Sequence, residues 1–227
     1  MFSENGKLIG DFSITHISHN NFLLLSSDYM QLSFLRHFKN YLPREGVELK
    51  NVSSQLSGLH ICGPNAQDLI SNLTDRDMTT KNFNFMSADN INIGNNLHVT
   101  ACRISFTGEC GYELYTRTTD QLSLFECLIN EGKKLDIGLV GTRSLMHTRL
   151  EKSFMAWGHE LSPDYSPIEC ELLKHIDLNK TDFVGKSAVK NNNLFRVFFK
   201  LKSLFCRNFE LLSLLDFHLN NDLLILS

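Results

Sequence analysis

Proline and glycine stop short of the last stretch of this chain. All four prolines and all 13 glycines precede Asn191, whereas residues 191–227 hold 17 Leu and Phe in 37 positions. A segment without turn-forming residues has no designed reversals, so 191–227 reads as a divergent Leu/Phe-rich tail, free to form helices and carrying apolar surface in need of a partner. Other absences exclude whole classes. No run of 18 apolar residues occurs, so no membrane span is expected. MFSENGKLIGDFSIT has no basic segment followed by an apolar core, so it is no signal peptide. With 22 basic against 25 acidic residues the net charge is −3, which provides no field for steering nucleic acid. The six cysteines show no C-x-x-C or other metal-like spacing and read as reduced, intracellular thiols. Cys110 reads as a small buried hydrophobe, since nothing near it in sequence would activate it as a nucleophile. His-Glu-x-x-His, a phosphate loop and G-x-S-x-G are all missing, so metalloprotease, NTPase and α/β-hydrolase chemistry lack their signatures and no metal is expected.

What is present is a chain of 227 residues, long enough for one large domain or two small ones without staples. KLIGDFSIT alternates as a half-buried strand, with Leu8, Phe12 and Ile14 on one face and Asp11, Ser13 and Thr15 on the other. FLLLSS follows across a His19-Asn20-Asn21 turn, which makes a hairpin. Asp28 then caps a helix whose apolar side is Leu32, Leu35, Phe38 and Leu42, stopping before Pro43. Leu56 to Cys62 reads as a strand, and Gly63-Pro64 opens a helix with Ala66, Leu69, Ile70 and Leu73 at one-face spacing. Gly94-Asn95-Asn96 joins two further strands, and the strand GYELYTR follows the turn at Thr107-Gly108-Glu109. Asp120 caps a helix carrying Leu122, Phe125, Leu128 and Ile129, and another helix spans Thr142 to Met155. Hairpins with interspersed helices, and no regular βαβ alternation, give an α+β fold of antiparallel or mixed sheets with packed helices.

Several carboxylates stand where chemistry could use them. Asp11 sits beside Gly10, whose missing side chain lets another group approach the backbone. It reads either as a ligand site or as an ordinary exposed residue. In FTGECGYELY, alternation points Glu113 away from Tyr112 and Leu114. That leaves a solvated strand face or a fixed acceptor for a guanidine-like or aminopyrimidine edge. Arg149 and Lys152 share a helix face and either hold a polyanionic tail or form a solvated stripe beside Glu151. Trp157 reads as core.

FTGECGYELY, RLEKSFMAWGHELSPDYSPIE and DFVGKSAV, in that order, resemble the motifs of the folate-binding aminomethyltransferases, and MFSENGKLIGD resembles that family's opening motif. The family includes the glycine cleavage T-protein and the C-terminal halves of dimethylglycine and sarcosine dehydrogenases. The resemblance covers 1–190 and implies a T-protein-like folate-binding fold, here without the C-terminal barrel and with an incomplete N-terminus. It implies tetrahydrofolate as cofactor, with transfer of a one-carbon unit from a small amine-derived aminomethyl or iminium species. FAD would belong to a separate or missing domain, and a flavoprotein dehydrogenase would be the partner. By the same resemblance Asp11 is catalytic, Glu113 grips the pterin's amino edge, Tyr112 and Arg149 contact the cofactor, and Glu151 and Glu169 match motif positions. The compartment is cytoplasmic or, alternatively, the mitochondrial matrix. A non-catalytic regulatory domain on the same fold is the other reading. Cys170-Glu171 departs from the pattern, because a glycine is usual where Glu171 stands, and a turn needing positive φ would be strained there.

Overall fold

The computed structural model describes residues 1–191 and 223–226. In chain order its regular elements are β1 (Ser13–Ser18), β2 (Asn21–Leu25), α1 (Gln31–Tyr41), β3 (Leu56–Cys62), α2 (Ala66–Ser71), β4 (Ala88–Ile93), β5 (Leu97–Cys102), β6 (Gly111–Arg117), α3 (Gln121–Gly132), β7 (Ile137–Leu139), α4 (Thr142–Glu151), α5 (Lys186–Asn191) and β8 (Leu223–Leu226). The tail expected over 191–227 lies outside the described residues except for its first residue and β8. The fold is α+β, as the pattern of hairpins and helices implied.

The chain divides into two compact units. Of the described residues, one gathers Met1–Ser13, Leu24–Val47 and 155–191; the other holds Ile14–Leu23, Glu48–Phe154 and β8. The first unit is built on aromatic contacts. Phe12, Phe34 and Phe38 meet edge to face with centroids 5.6 to 6.2 Å apart. Phe34, not Leu32, is the buried residue of α1: Leu32 is 67% exposed. The expected helix thus forms and ends before Pro43, but its apolar face is turned toward Phe12. Its N-cap position is Met30, and Asp28 instead opens a short 3₁₀ turn ahead of it.

The second unit is a six-stranded sheet in the order β4-β5-β6-β3-β8-β7. Pairing is antiparallel except between β7 and β8. No sheet closes into a barrel among the described residues. One face of the sheet is apolar: Leu59, Ile61, Ile91, Ile93, Val99, Ala101, Tyr112 and Leu114 are buried with Ala66, Leu69 and Ile70 of α2 and Leu124 and Leu128 of α3. Period-two alternation then forces the intervening residues onto the opposite face. Of the α3 residues expected to face inward, Leu122 is 66% exposed, and Leu124 takes its place. Gly94 and Asn96 both have positive φ, as the β4–β5 turn requires.

Two boundaries differ from the sequence reading. Strand β1 begins at Ser13, not Lys7, and its polarity is inverted: Thr15 is buried while Ile14 is 59% exposed. The reason is that Thr15 Oγ1 meets Cys102 Sγ at 3.6 Å, so the hairpin lies on the sheet's polar face. Helix α4 ends at Glu151, because Ser153 adopts a left-handed φ of 58° and Phe154 folds back to bond the Arg149 carbonyl.

Candidate functional site

Strand β6 carries Glu113 and Tyr115 on the face opposite Tyr112 and Leu114. Register places His60 of β3 on one side of Glu113 and Cys102 of β5 on the other. Tyr115 Oη donates to Glu113 Oε2 at 2.5 Å. His60 Nε2 and Ser105 Oγ are 3.2 Å apart, and Ser105 Oγ in turn meets Thr107 Oγ1 at 2.8 Å. The result is a cluster of half-buried polar side chains.

Burial governs its electrostatics. It raises the Glu113 pKa, and the bond from Tyr115 opposes that rise. Burial pushes Tyr115 up too, aided by the Glu113 charge. It drives His60 down to about 4 and lifts the Cys102 thiol. A carboxylate in such surroundings is a strong hydrogen-bond acceptor, and with one bond from Tyr115 it retains lone pairs for more donors. Among the described residues no group of three or more His, Cys, Asp or Glu could hold a metal ion.

The turn before β6 is fixed from below. Gly111 has no room for a side chain: a Cβ there would lie 2.7 Å from the Ile61 carbonyl and 2.9 Å from Ser105 Cβ. Gly108, at φ 74°, is covered by the Lys152 stem, and Lys152 Nζ pairs with Glu109 at 3.0 Å. Arg149 is 2% exposed, donates to the Phe154 carbonyl at 2.7 Å and lies over the Phe106 ring. Cys110 packs against the main core beside Arg103, whose Nη2 approaches its sulfur at 3.8 Å.

The expected site residues fall as follows. Glu113 is half-buried on the polar face. Tyr112 is fully buried on the opposite one, stacked with Phe83, and its hydroxyl reaches the Met78 carbonyl at 3.5 Å. The structure therefore separates these two. Arg149 is buried under the motif turn and Glu151 is exposed. Asp11 belongs to the first unit and is exposed; the space that Gly10 leaves beside it is filled by the Phe34 ring. Glu169, in the same unit, accepts from the Ser166 amide at 2.6 Å and faces Lys7 at 3.5 Å. Burial works against its charge, but those bonds and Lys7 outweigh it and hold its pKa low. Trp157 packs in the first unit's smaller core.

Tyr115, His60, Cys102 and Ser105 were not foreseen. Alternation in GYELYTR already puts Tyr115 on Glu113's face, which is a usable signal. His60 and Cys102 join it only through strand register, which no local pattern encodes.

A domain of this kind, with helices on one face of an open sheet and a half-buried carboxylate on the other, is an α+β module with one apolar and one polar sheet face. The chain belongs to the GCVT N-terminal domain family, whose profile matches residues 1–180. It is 36% identical over 193 residues to human mitochondrial dimethylglycine dehydrogenase, covering 84% of this chain and 22% of that protein. It is 31% identical over 196 residues to the aminomethyltransferase of Natranaerobius thermophilus, covering 84% of this chain and 52% of that one. The chain thus spans about half the length of the aminomethyltransferase and about a fifth of the dehydrogenase. Among solved structures, the heterotetrameric sarcosine oxidase from Corynebacterium sp. U-96, in complex with pyrrole 2-carboxylate, shares the fold. Its TM-score is 0.50 at 20% identity, over 60% of this chain and 66% of that one. No helix among the described residues is long and apolar enough to cross a membrane.

Proposed function

We propose that the domain binds a reduced folate at Glu113 and serves one-carbon transfer from a small methylated amine to that cofactor. The observation that carries this reading is the Glu113 carboxylate, half-buried on the polar face and held by Tyr115 through one oxygen. Such a group suits a flat edge bearing two parallel N–H donors, which a reduced pterin presents. The fit rests on Glu113. As buried here, Tyr112 and Arg149 serve the strand's core face and the motif turn.

When bound, tetrahydrofolate supplies the nitrogens that accept the one-carbon unit. Glu113 orients it by accepting hydrogen bonds and excludes water from that edge. Asp11 is assigned the electrostatic part: an anionic side chain favours the cationic species that develops during transfer. The name of one relative, a dimethylglycine dehydrogenase, supports a methylated amine as the ultimate substrate and a dehydrogenase as its supplier; FAD, which the family resemblance assigns to that dehydrogenase, stays outside this domain. The mitochondrial location in the dehydrogenase's name favours the matrix over the cytoplasm.

A second reading is a regulatory domain that binds no folate. It is favoured by the burial of Tyr112 and Arg149, two residues otherwise expected to touch cofactor. Calorimetric titration with 5-formyltetrahydrofolate separates the two. Saturable binding, weakened on the order of 100-fold by Glu113→Gln, supports the folate site. Folded protein giving no saturable heat supports the regulatory domain.

A further inference from the structure

The bond between Tyr115 and Glu113 joins residues two apart on one strand, an unusual pair. Side chains at i and i+2 of a strand stand side by side, roughly perpendicular to the sheet. For the phenol to reach the carboxylate at 2.5 Å, the Tyr115 ring has to lie over along the sheet. The residue directly opposite Tyr115 on β3 is Gly58. A Cβ on Gly58 would come within 2.9 and 3.1 Å of the ring's Cε1 and Cδ1, so the ring occupies the space a side chain would need. Gly58 is therefore a bay for Tyr115.

The other groups facing Glu113 are engaged elsewhere. His60, opposite on β3, is bonded to Ser105, and Cys102, opposite on β5, meets Thr15. Further along the same face, His16 and Asn90 line a small cleft with Thr100. Tyr115 is thus the described residue that sets the orientation of the Glu113 carboxylate.

We propose that Tyr115, seated in the bay left by Gly58, is a positioning residue: its hydroxyl fixes the plane of the Glu113 carboxylate so that both oxygens can meet a two-donor ligand edge together. The ligand part rests on the folate reading above; the positioning itself does not. A carboxylate free to rotate loses two-point geometry and the specificity that comes with it. The donated bond also stabilises the charged form, so it opposes the rise that burial imposes on Glu113.

The sign follows directly. A ligand edge with two donors needs the ionised acid, so binding is present above the Glu113 pKa and is lost as pH falls through it. Removing the phenol hydroxyl lets burial act unopposed and moves that loss to higher pH. The neighbours that face the acid do not confuse the profile in the middle range. Burial keeps His60 neutral down to about pH 4, and it keeps the Cys102 thiol protonated above the usual thiol range.

The test is Tyr115→Phe in the full chain, with Gly58→Ala as a second variant that displaces the ring while keeping its hydroxyl. The Glu113 carboxyl carbon is followed by ¹³C NMR from pH 4 to 8 without ligand, and 5-formyltetrahydrofolate affinity is measured over the same range. Both variants are expected to move the carboxyl titration upward by about one pH unit and the affinity profile with it, which lowers affinity by up to about tenfold at pH values below the wild-type midpoint. A variant that loses thermal stability but leaves the carboxyl titration and the affinity profile where they were in the wild type overturns the proposal. If Glu113→Gln binds the folate unchanged, the folate reading fails alone, and the ligand-free titration still decides the part played by Tyr115.

Discussion

His60 Nε2 and Ser105 Oγ stand 3.2 Å apart on the polar face of the central sheet, and burial holds the imidazole pKa down at about 4. Its folded pKa lies below the unfolded value of 6.5, so the stability that the neutral ring supports is fully present above pH 6.5 and is lost as pH falls through the interval to 4. The loss amounts to at most about 3 kcal/mol. Urea unfolding at pH 7 and pH 5 should show the wild type weakening more than His60→Gln; equal losses in both would assign the acid sensitivity elsewhere.

Glu171 occupies a left-handed conformation, φ 54°, at an exposed position after Cys170. A β-carbon in that region costs about 1 kcal/mol, which glycine avoids while giving some of it back in chain entropy. Glu171→Gly is expected to raise stability by about 0.5 kcal/mol, read as an increase in denaturation midpoint at constant slope. A lowered midpoint would mean that the turn is not strained.

Gly111 leaves no space for a methyl, with the Ile61 carbonyl 2.7 Å from a built Cβ. Gly111→Ala should cost about 1–3 kcal/mol, because backbone rather than a flexible chain end would have to move. The same scan run on Gly141, around which nothing lies within 4 Å of a built Cβ, should show little change. Equal effects at both positions would contradict the close packing of β3 on β6.

Arg149→Lys tests the motif turn. The guanidinium donates to the Phe154 carbonyl and spans to the Phe106 ring, which a lysine cannot reproduce. The variant is expected to lose about 1–3 kcal/mol of stability, with folate affinity altered less than by Glu113→Gln. A selective affinity loss at unchanged stability would put Arg149 against the ligand instead.

Much of this architecture is written locally. Leu56–Cys62, the helix opening after Pro64, the turn at Gly94 and the strand GYELYTR all follow from turn residues and alternation, and the strained turn at Glu171 follows from one missing glycine. Where reading failed, tertiary contacts decided. Thr15 turned inward because the face it meets is polar and offers it Cys102, and Phe34 displaced Leu32 because Phe12 and the open backbone at Gly10 await an aromatic ring. Glu113 was visible as a candidate from alternation alone. Its environment was not, since His60 lies 53 residues away in sequence and is brought opposite only by the β3–β6 register.

The central claim is that Glu113 accepts a reduced pterin, and direct titration tests it best. Calorimetry of the wild-type chain and of Glu113→Gln with 5-formyltetrahydrofolate at pH 7 should give one saturable site in the first and a roughly 100-fold weaker one in the second. Equal affinities in two folded proteins would contradict the account.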